Sequence, residues 1–219
     1  MLTLLLLACA PFATMAPPDP FADPGSHTLG ARVNGGVAIP DLYPLVSPQL
    51  WYVGHPNPRL EWGASAFIGA RGTDWPRQIN RGGAGGYLRY YARSRESSAL
   101  GLQIESTGAS YALGGVGVLS LAPQWSAYTA PGLGVDLGVS TGGEGGSSLS
   151  RGVFVRVPVG VGYTREKLHF GFELDAVWSP FTNPMPTTID TAHARVDPPP
   201  TLGLQGGLSL SWTRPQQSP

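Results

Sequence analysis

Nine titratable side chains fall where extended segments would carry a polar face: Arg32, Glu61, Arg89, Glu105, Asp136, Arg156, His169, Glu173 and Asp175. Five acids stand against three arginines and one histidine. Charges withdrawn from water must be matched, so such a set suits a hydrogen-bonded plug. The same set suits a path for protons or ions, or a ligand site. Hydrolysis demands a nucleophile beside a base. His169 with Glu173 or Asp175 supplies a base and an orienting acid, but no serine stands beside it in a recognisable motif, so no catalytic residues are assigned. His27, His55 and His193 lie apart in termini or loops, without zinc-ligand spacing, and read as solvated. The single cysteine, Cys9, excludes a disulfide within the chain and a cysteine-based metal site. Neither Gly82–Gly86 nor Gly142–Gly146 opens a helix or precedes Lys-Ser/Thr, so neither is a phosphate loop. No cofactor and no metal are expected.

The elements that would position these residues are strands. Apolar residues recur with period two, the mark of a strand with two chemically different faces. Leu168, Phe170, Phe172, Leu174, Ala176 and Trp178 alternate with His169, Gly171, Glu173, Asp175 and Val177. Val153–Tyr163 and Leu202–Trp212 show the same pattern, with Phe154 and Pro158 as exceptions in the first. Weaker copies run over Leu29–Ile39, Leu60–Ala70, Tyr87–Arg93, Ala99–Ser106 and Trp125–Val139. Tyr111–Leu121 has ambiguous faces, and Val46–Val53 carries the weakest signal. That makes about ten strands, with eight as the alternative, and no convincing helix. The connections Gly54–Arg59, Ser94–Ser97, Ala122–Gln124 and Thr164–Lys167 are short. Arg71–Arg81, Ser140–Ser150 and Phe181–Pro200 are long and rich in Gly, Pro or Thr.

Composition decides what the two faces meet. Charged residues are only 13% of the chain, and 14 basic side chains cancel 14 acidic ones. That balance gives no electrostatic attraction to nucleic acid. A soluble barrel fills its interior with apolar side chains and turns a dense Lys/Glu surface to water. Here the polar faces are Gly, Ser and a few charges, and the apolar faces are aliphatic with aromatics at their ends. The inverted arrangement follows: a closed antiparallel transmembrane β-barrel with its aliphatic face to lipid and its polar face to a narrow lumen. A secreted soluble β-barrel binding an apolar ligand is the alternative. Leu2–Ala8 reads as the core of a signal peptide spanning residues 1–16, with lipoprotein processing at Cys9 as the other option. Residues 17–26 then form a Pro-rich periplasmic segment, 27–213 the barrel, and 214–219 a tail.

Gln205-Gly206-Gly207-Leu208-Ser209-Leu210-Ser211-Trp212 resembles the C-terminal signal read by the outer-membrane assembly machinery. Gln205, Gly207, Leu210 and Trp212 match its polar, glycine, hydrophobic and hydrophobic positions. From about His27 to Trp212 the chain is similar to small bacterial outer-membrane barrels of the OmpA, OmpX and OmpW type. The resemblance implies residence in the bacterial outer membrane, with lipid, lipopolysaccharide and the assembly machinery as partners. It also implies short periplasmic turns and longer outer loops, of which 140–150 and 181–200 are candidate contacts for an external ligand. The role implied is structural, adhesive or one of limited permeation, with the lumen plugged by its charged residues. A lipid-modifying barrel enzyme is the alternative from another class. The lipid A deacylases among such enzymes turn their hydrolytic His and Ser to the lipid, whereas His169 is expected to face inward, so no enzyme is expected.

Overall fold

The structure is a computed structural model that describes residues 16–39, 43–71, 79–95, 97–107, 110–136, 139–141, 147–186 and 201–214. In chain order the strands are β1 (His27–Ile39), β2 (Tyr43–Asn57), β3 (Leu60–Arg71), β4 (Ile79–Arg95), β5 (Ser98–Thr107) and β6 (Ser110–Ala122). There follow β7 (Trp125–Thr129), β8 (Gly132–Asp136), β9 (Val139–Thr141), β10 (Ser147–Arg165), β11 (Leu168–Pro186) and β12 (Thr201–Arg214). Every neighbouring pair is antiparallel, and β12 pairs with β1 from His27↔Arg214 to Ile39↔Leu202, so the sheet closes on itself. Closure leaves the wall without an edge.

Twelve strand segments make ten staves, because β7, β8 and β9 are pieces of one. They meet β10 in a single unbroken register, from Tyr163↔Trp125 through Arg156↔Gly132 to Ser147↔Thr141. The break between β7 and β8 falls at Ala130-Pro131. Proline has no N–H to give to a ladder. The wall compensates locally: Thr129 Oγ1 donates to the Pro158 carbonyl (2.7 Å), and Gly115 N donates to the Pro131 carbonyl (3.0 Å).

All ten expected strands are present, and the structure lengthens several of them. Gly54–Asn57, expected in a turn, continues β2 through an irregularity between Gly54 and Asn57. The expected loop over Ser140–Ser150 is shortened by β9 and β10, and Gly142–Gly146 lies outside the described residues. Residues 181–186, Met185 included, belong to β11, where they pair with β10 as far as Pro186↔Ser148. Long antiparallel neighbours satisfy each other's backbone, which carries strands beyond the span that hydrophobic periodicity marks. The short connections are as expected: Pro58-Arg59, Pro123-Gln124 and Glu166-Lys167 are two-residue turns, the last with Glu166 at φ 54°.

The faces are inverted relative to a water-soluble barrel. Leu208 is 69% exposed and Leu50 62%, while Arg89 and Glu61 are completely buried. Outward leucines, valines and isoleucines form a band, and aromatics gather near the rim of two-residue turns. There Tyr52 stacks on His27 (5.6 Å between centroids) and leans on Trp62 (5.7 Å), and Trp125 leans on Tyr163 (5.0 Å). Trp178 lies toward the other rim on β11. The ambiguous β6 resolves with Leu113 and Leu119 outward and Val116 and Val118 inward.

Inside, bulky side chains lie over glycines on the neighbouring strand. Tyr87 covers Gly63, Tyr128 covers Gly160, Phe154 covers Gly134 and Trp51 covers Gly30. Each is a direct cross-strand pair. A Cβ at any of these glycines would collide with the ring. In a lumen this narrow, a large residue fits only where its partner is absent.

Candidate functional site

The site is the interior itself, and rows of cross-strand partners set its geometry. One row runs Glu61, Arg89, Gln103 across β3, β4 and β5. Arg89 Nη1 donates to Glu61 Oε1 (2.5 Å) and Arg89 Nε to Gln103 Oε1 (2.8 Å), while the guanidinium lies 4.3 Å from the Tyr87 ring centroid. Glu61 is the hub. Its Oε1 also accepts from Tyr87 Oη (2.8 Å), and its Oε2 accepts from Tyr91 Oη (2.8 Å). The next row carries the network upward: Gln103 Nε2 donates to Glu105 Oε2 (3.3 Å), and Arg156 Nη2 lies 2.5 Å from Glu105 Oε1.

A second network stands on the other side of the lumen. Arg32 Nη1 donates to Glu173 Oε1 (2.7 Å), and Tyr128 Oη donates to Glu173 Oε2 (2.6 Å). The Tyr128 ring reaches Glu173 because Gly160, which pairs with both residues, has no side chain to block the way. Arg32 also lies 5.6 Å from the Trp51 ring centroid. Among the described residues three ion pairs thus occupy the interior: Arg89–Glu61 joins direct cross-strand partners, while Arg32–Glu173 and Arg156–Glu105 reach over intervening strands.

Residues 16–26 lie against the inner side chains at the rim of short turns. Ala16, Pro18, Pro20 and Ser26 are buried. Arg89 Nη2 donates to the Ala16 carbonyl (2.7 Å), and the Asp19 N–H donates to Glu61 Oε2 (3.1 Å). Gly25 N bonds the His55 carbonyl (2.6 Å), and His55 N returns to Ser26 O (3.1 Å). Burial raises the Asp19 carboxyl above its usual range, against the opposing pull of His169 and His55. What remains open here is a cavity of about 290 Å³ bordered by Asp19, Phe21, Gln124, Lys167 and His169.

Of the nine expected inner residues, Arg32, Glu61, Arg89, Glu105, Arg156, Glu173 and Asp175 are buried inside. His169 is half-buried near the rim, and the Asp136 side chain lies outside the described residues. The acids do not assemble on His169. Its Nδ1 meets Thr164 Oγ1 (3.0 Å) and its Nε2 meets Thr213 Oγ1 (2.8 Å), while Glu173 is engaged by Arg32 and Tyr128. His55 corrects the sequence reading: it is buried in β2, not solvated, because β2 runs on beyond Val53 and the terminal segment covers it. His27 is exposed and meets Tyr52 Oη through Nδ1 (2.7 Å), and His193 lies outside the described residues. Tyr87, Tyr91, Tyr128 and Gln103 are network members that sequence reasoning passed over. Tyr87 and Tyr91 share the parity of Arg89, which was the available signal. Gln205 and Gly207 face inward and Leu210 and Trp212 outward on β12, the strand that seals the wall.

No family model matches the chain, and no curated protein matches it either. Solved structures do. Neisserial surface protein A is 14% identical with a TM-score of 0.43, over 86% of this chain and 98% of that one. An outer membrane channel from Pseudomonas putida F1 is 12% identical with a TM-score of 0.48, over 91% and 99%. Ail, the attachment invasion locus protein of Yersinia pestis, is 9% identical with a TM-score of 0.36, over 88% and 100%. These are similarities of barrel architecture.

Proposed function

We propose that the chain is an integral outer-membrane barrel that is closed by its own contents. It acts as an anchor presenting its outer loops, and permeation is limited to what the closed interior admits. The observation that carries this reading is the filling of the lumen by three buried ion pairs, two of which reach over intervening strands, with residues 16–26 seated beneath them. Membrane residence is supported by the outward apolar band. From Leu168 to Trp178 on β11 it would stand roughly 25 Å tall at the usual strand rise and tilt, the height of an outer-membrane hydrocarbon zone. Lipid and the acyl chains of lipopolysaccharide are the partners for that surface. Gln205, Gly207, Leu210 and Trp212 are the residues the assembly machinery would read. The role is non-enzymatic in this reading, since His169 is held by two threonine hydroxyls with neither acid in its shell.

Planar-bilayer recording tests the closed interior. The purified barrel should insert yet give no steady conductance steps. Stable, ohmic channels from the wild-type chain would sink the proposal. Residence is tested separately: the folded protein should fractionate with outer membranes and migrate faster on a gel before boiling than after. A mature chain freely soluble without detergent would overturn it.

A further inference from the structure

Arg93 is turned to the outer face by a fault in the strand register. Simple alternation from the buried Tyr91 would point Arg93 inward. A bulge in β4 prevents this: Tyr91 pairs with Gly101, while Arg93 pairs with Leu100, so Ala92 is the extra residue. Bulges re-aim side chains, and this one sets Arg93 beside Leu100, which is 57% exposed. Arg93 is exposed there, and among the described residues no acid pairs with it. It lies beyond Tyr90, the last residue of β4 paired with β3, and so toward the rim of short turns. An outward arginine costs little only at such a depth, where hydrocarbon gives way to headgroups.

From Arg93 a row of direct partners runs through Leu100, Gly117, Thr129 and Val159, across β5, β6, β7 and β10. Leu100, Leu119 and Val159 stand outward, while Gly117 and Ala127 keep the floor between them low. The result is an apolar groove of about 600 Å³ with Arg93 on its β4 side. Ligand sites occupy roughly 300–1,000 Å³. Unlike the inner glycines under rings, Gly117 makes room for no side chain of its own protein. A Cβ there would come no nearer than 3.4 Å to another atom, on Leu100. What lies against this surface in a membrane is lipid. An aliphatic groove takes an acyl chain, and a guanidinium beside it takes phosphate through its planar fork of donors. We propose that the groove holds one anionic phospholipid from the leaflet at the short-turn rim, its phosphate on Arg93 and one chain over Gly117. The proposal rests on the membrane residence argued above.

The test uses the full chain folded in detergent, with bound lipid counted by native mass spectrometry. Phosphatidylglycerol is compared with phosphatidylcholine of the same acyl chains. The wild-type chain should retain one phosphatidylglycerol at about a fivefold lower concentration than phosphatidylcholine, the worth of one cation at an anionic surface. Arg93→Gln should remove that preference. Gly117→Leu fills the floor of the groove and should lower retention of both lipids. If either variant fails to fold, the other and the wild-type comparison still decide. Equal retention of the two lipids by the wild-type chain overturns the site, as does unchanged retention in Gly117→Leu. Gel mobility before boiling, read on the same samples, separates the two failures. A folded barrel without the preference sinks this site alone, whereas a chain soluble without detergent sinks the membrane residence and the site with it.

Discussion

Glu61 accepts hydrogen bonds from two tyrosines, an arginine and a backbone N–H, and that concentration makes it the residue whose loss is felt furthest. A buried pair broken on one side leaves an uncompensated charge, which costs about 3–5 kcal/mol. Arg89→Met should therefore lower stability by that order in urea titration, while adding Glu61→Gln, which removes the stranded charge and keeps an acceptor for the tyrosines, should recover part of the loss. If single and double variants unfold at the same urea concentration, the pair is not a coupled unit. Asp19 gives a pH dependence of definite sign. Its carboxyl is raised in the folded state, so the folded state holds that proton more tightly than the unfolded chain. Seating of residues 16–26 is then favoured at low pH and is lost as pH rises through the raised value. A spin label at Ala22→Cys should become more mobile as pH rises above the usual carboxylate range, and Asp19→Asn should flatten that change. Most of the inner residues were legible because period two fixes which side chains share a face. The seating of Asp19 was not, because a proline-rich segment carries no periodicity and its place depends on a cavity built by other strands.

At the scale of the strand, the pairing of a glycine with a ring is the device that fits two large networks into a narrow tube. Gly160 and Tyr128 are the sharpest instance, since the tyrosine hydroxyl reaches Glu173 only by lying across that glycine. Tyr128→Phe should cost about 1.5–3 kcal/mol, the worth of a hydrogen bond to a charged group. Gly160→Ala should destabilise at least as much when Tyr128 is present and very little in a Tyr128→Ala background. Additive losses in the double variant would show that the ring and the glycine do not share the space. The alternation of β10 and β11 was readable directly, but two features of the strands were not. Pro131 interrupts a stave whose register both neighbours preserve, and β2 runs on past Val53, so that His55 keeps the inward parity of Trp51 and Val53. Both depend on what adjacent strands supply, and a single segment carries no record of its neighbours.

For the whole molecule, the closed ten-stave wall follows from the alternation of faces together with the scarcity of charge, because an apolar exterior leaves no place for an open edge. The number of staves could be read only to within two, since glycine-rich β6 shows its phase once β5 and β7 flank it. The seam between β1 and β12 carries one more consequence. Thr28 and Thr213, 185 positions apart in the chain, share a hydrogen bond of 2.8 Å across it. The first strand to be synthesised is thus completed only by the last. Until β12 arrives, β1 has one bare flank, and every intermediate holds two unpaired margins that lipid cannot satisfy. For the membrane barrel proposed above, insertion would on that account be an event of the finished polypeptide, since a chain halted before Thr201 leaves β1 without its second partner.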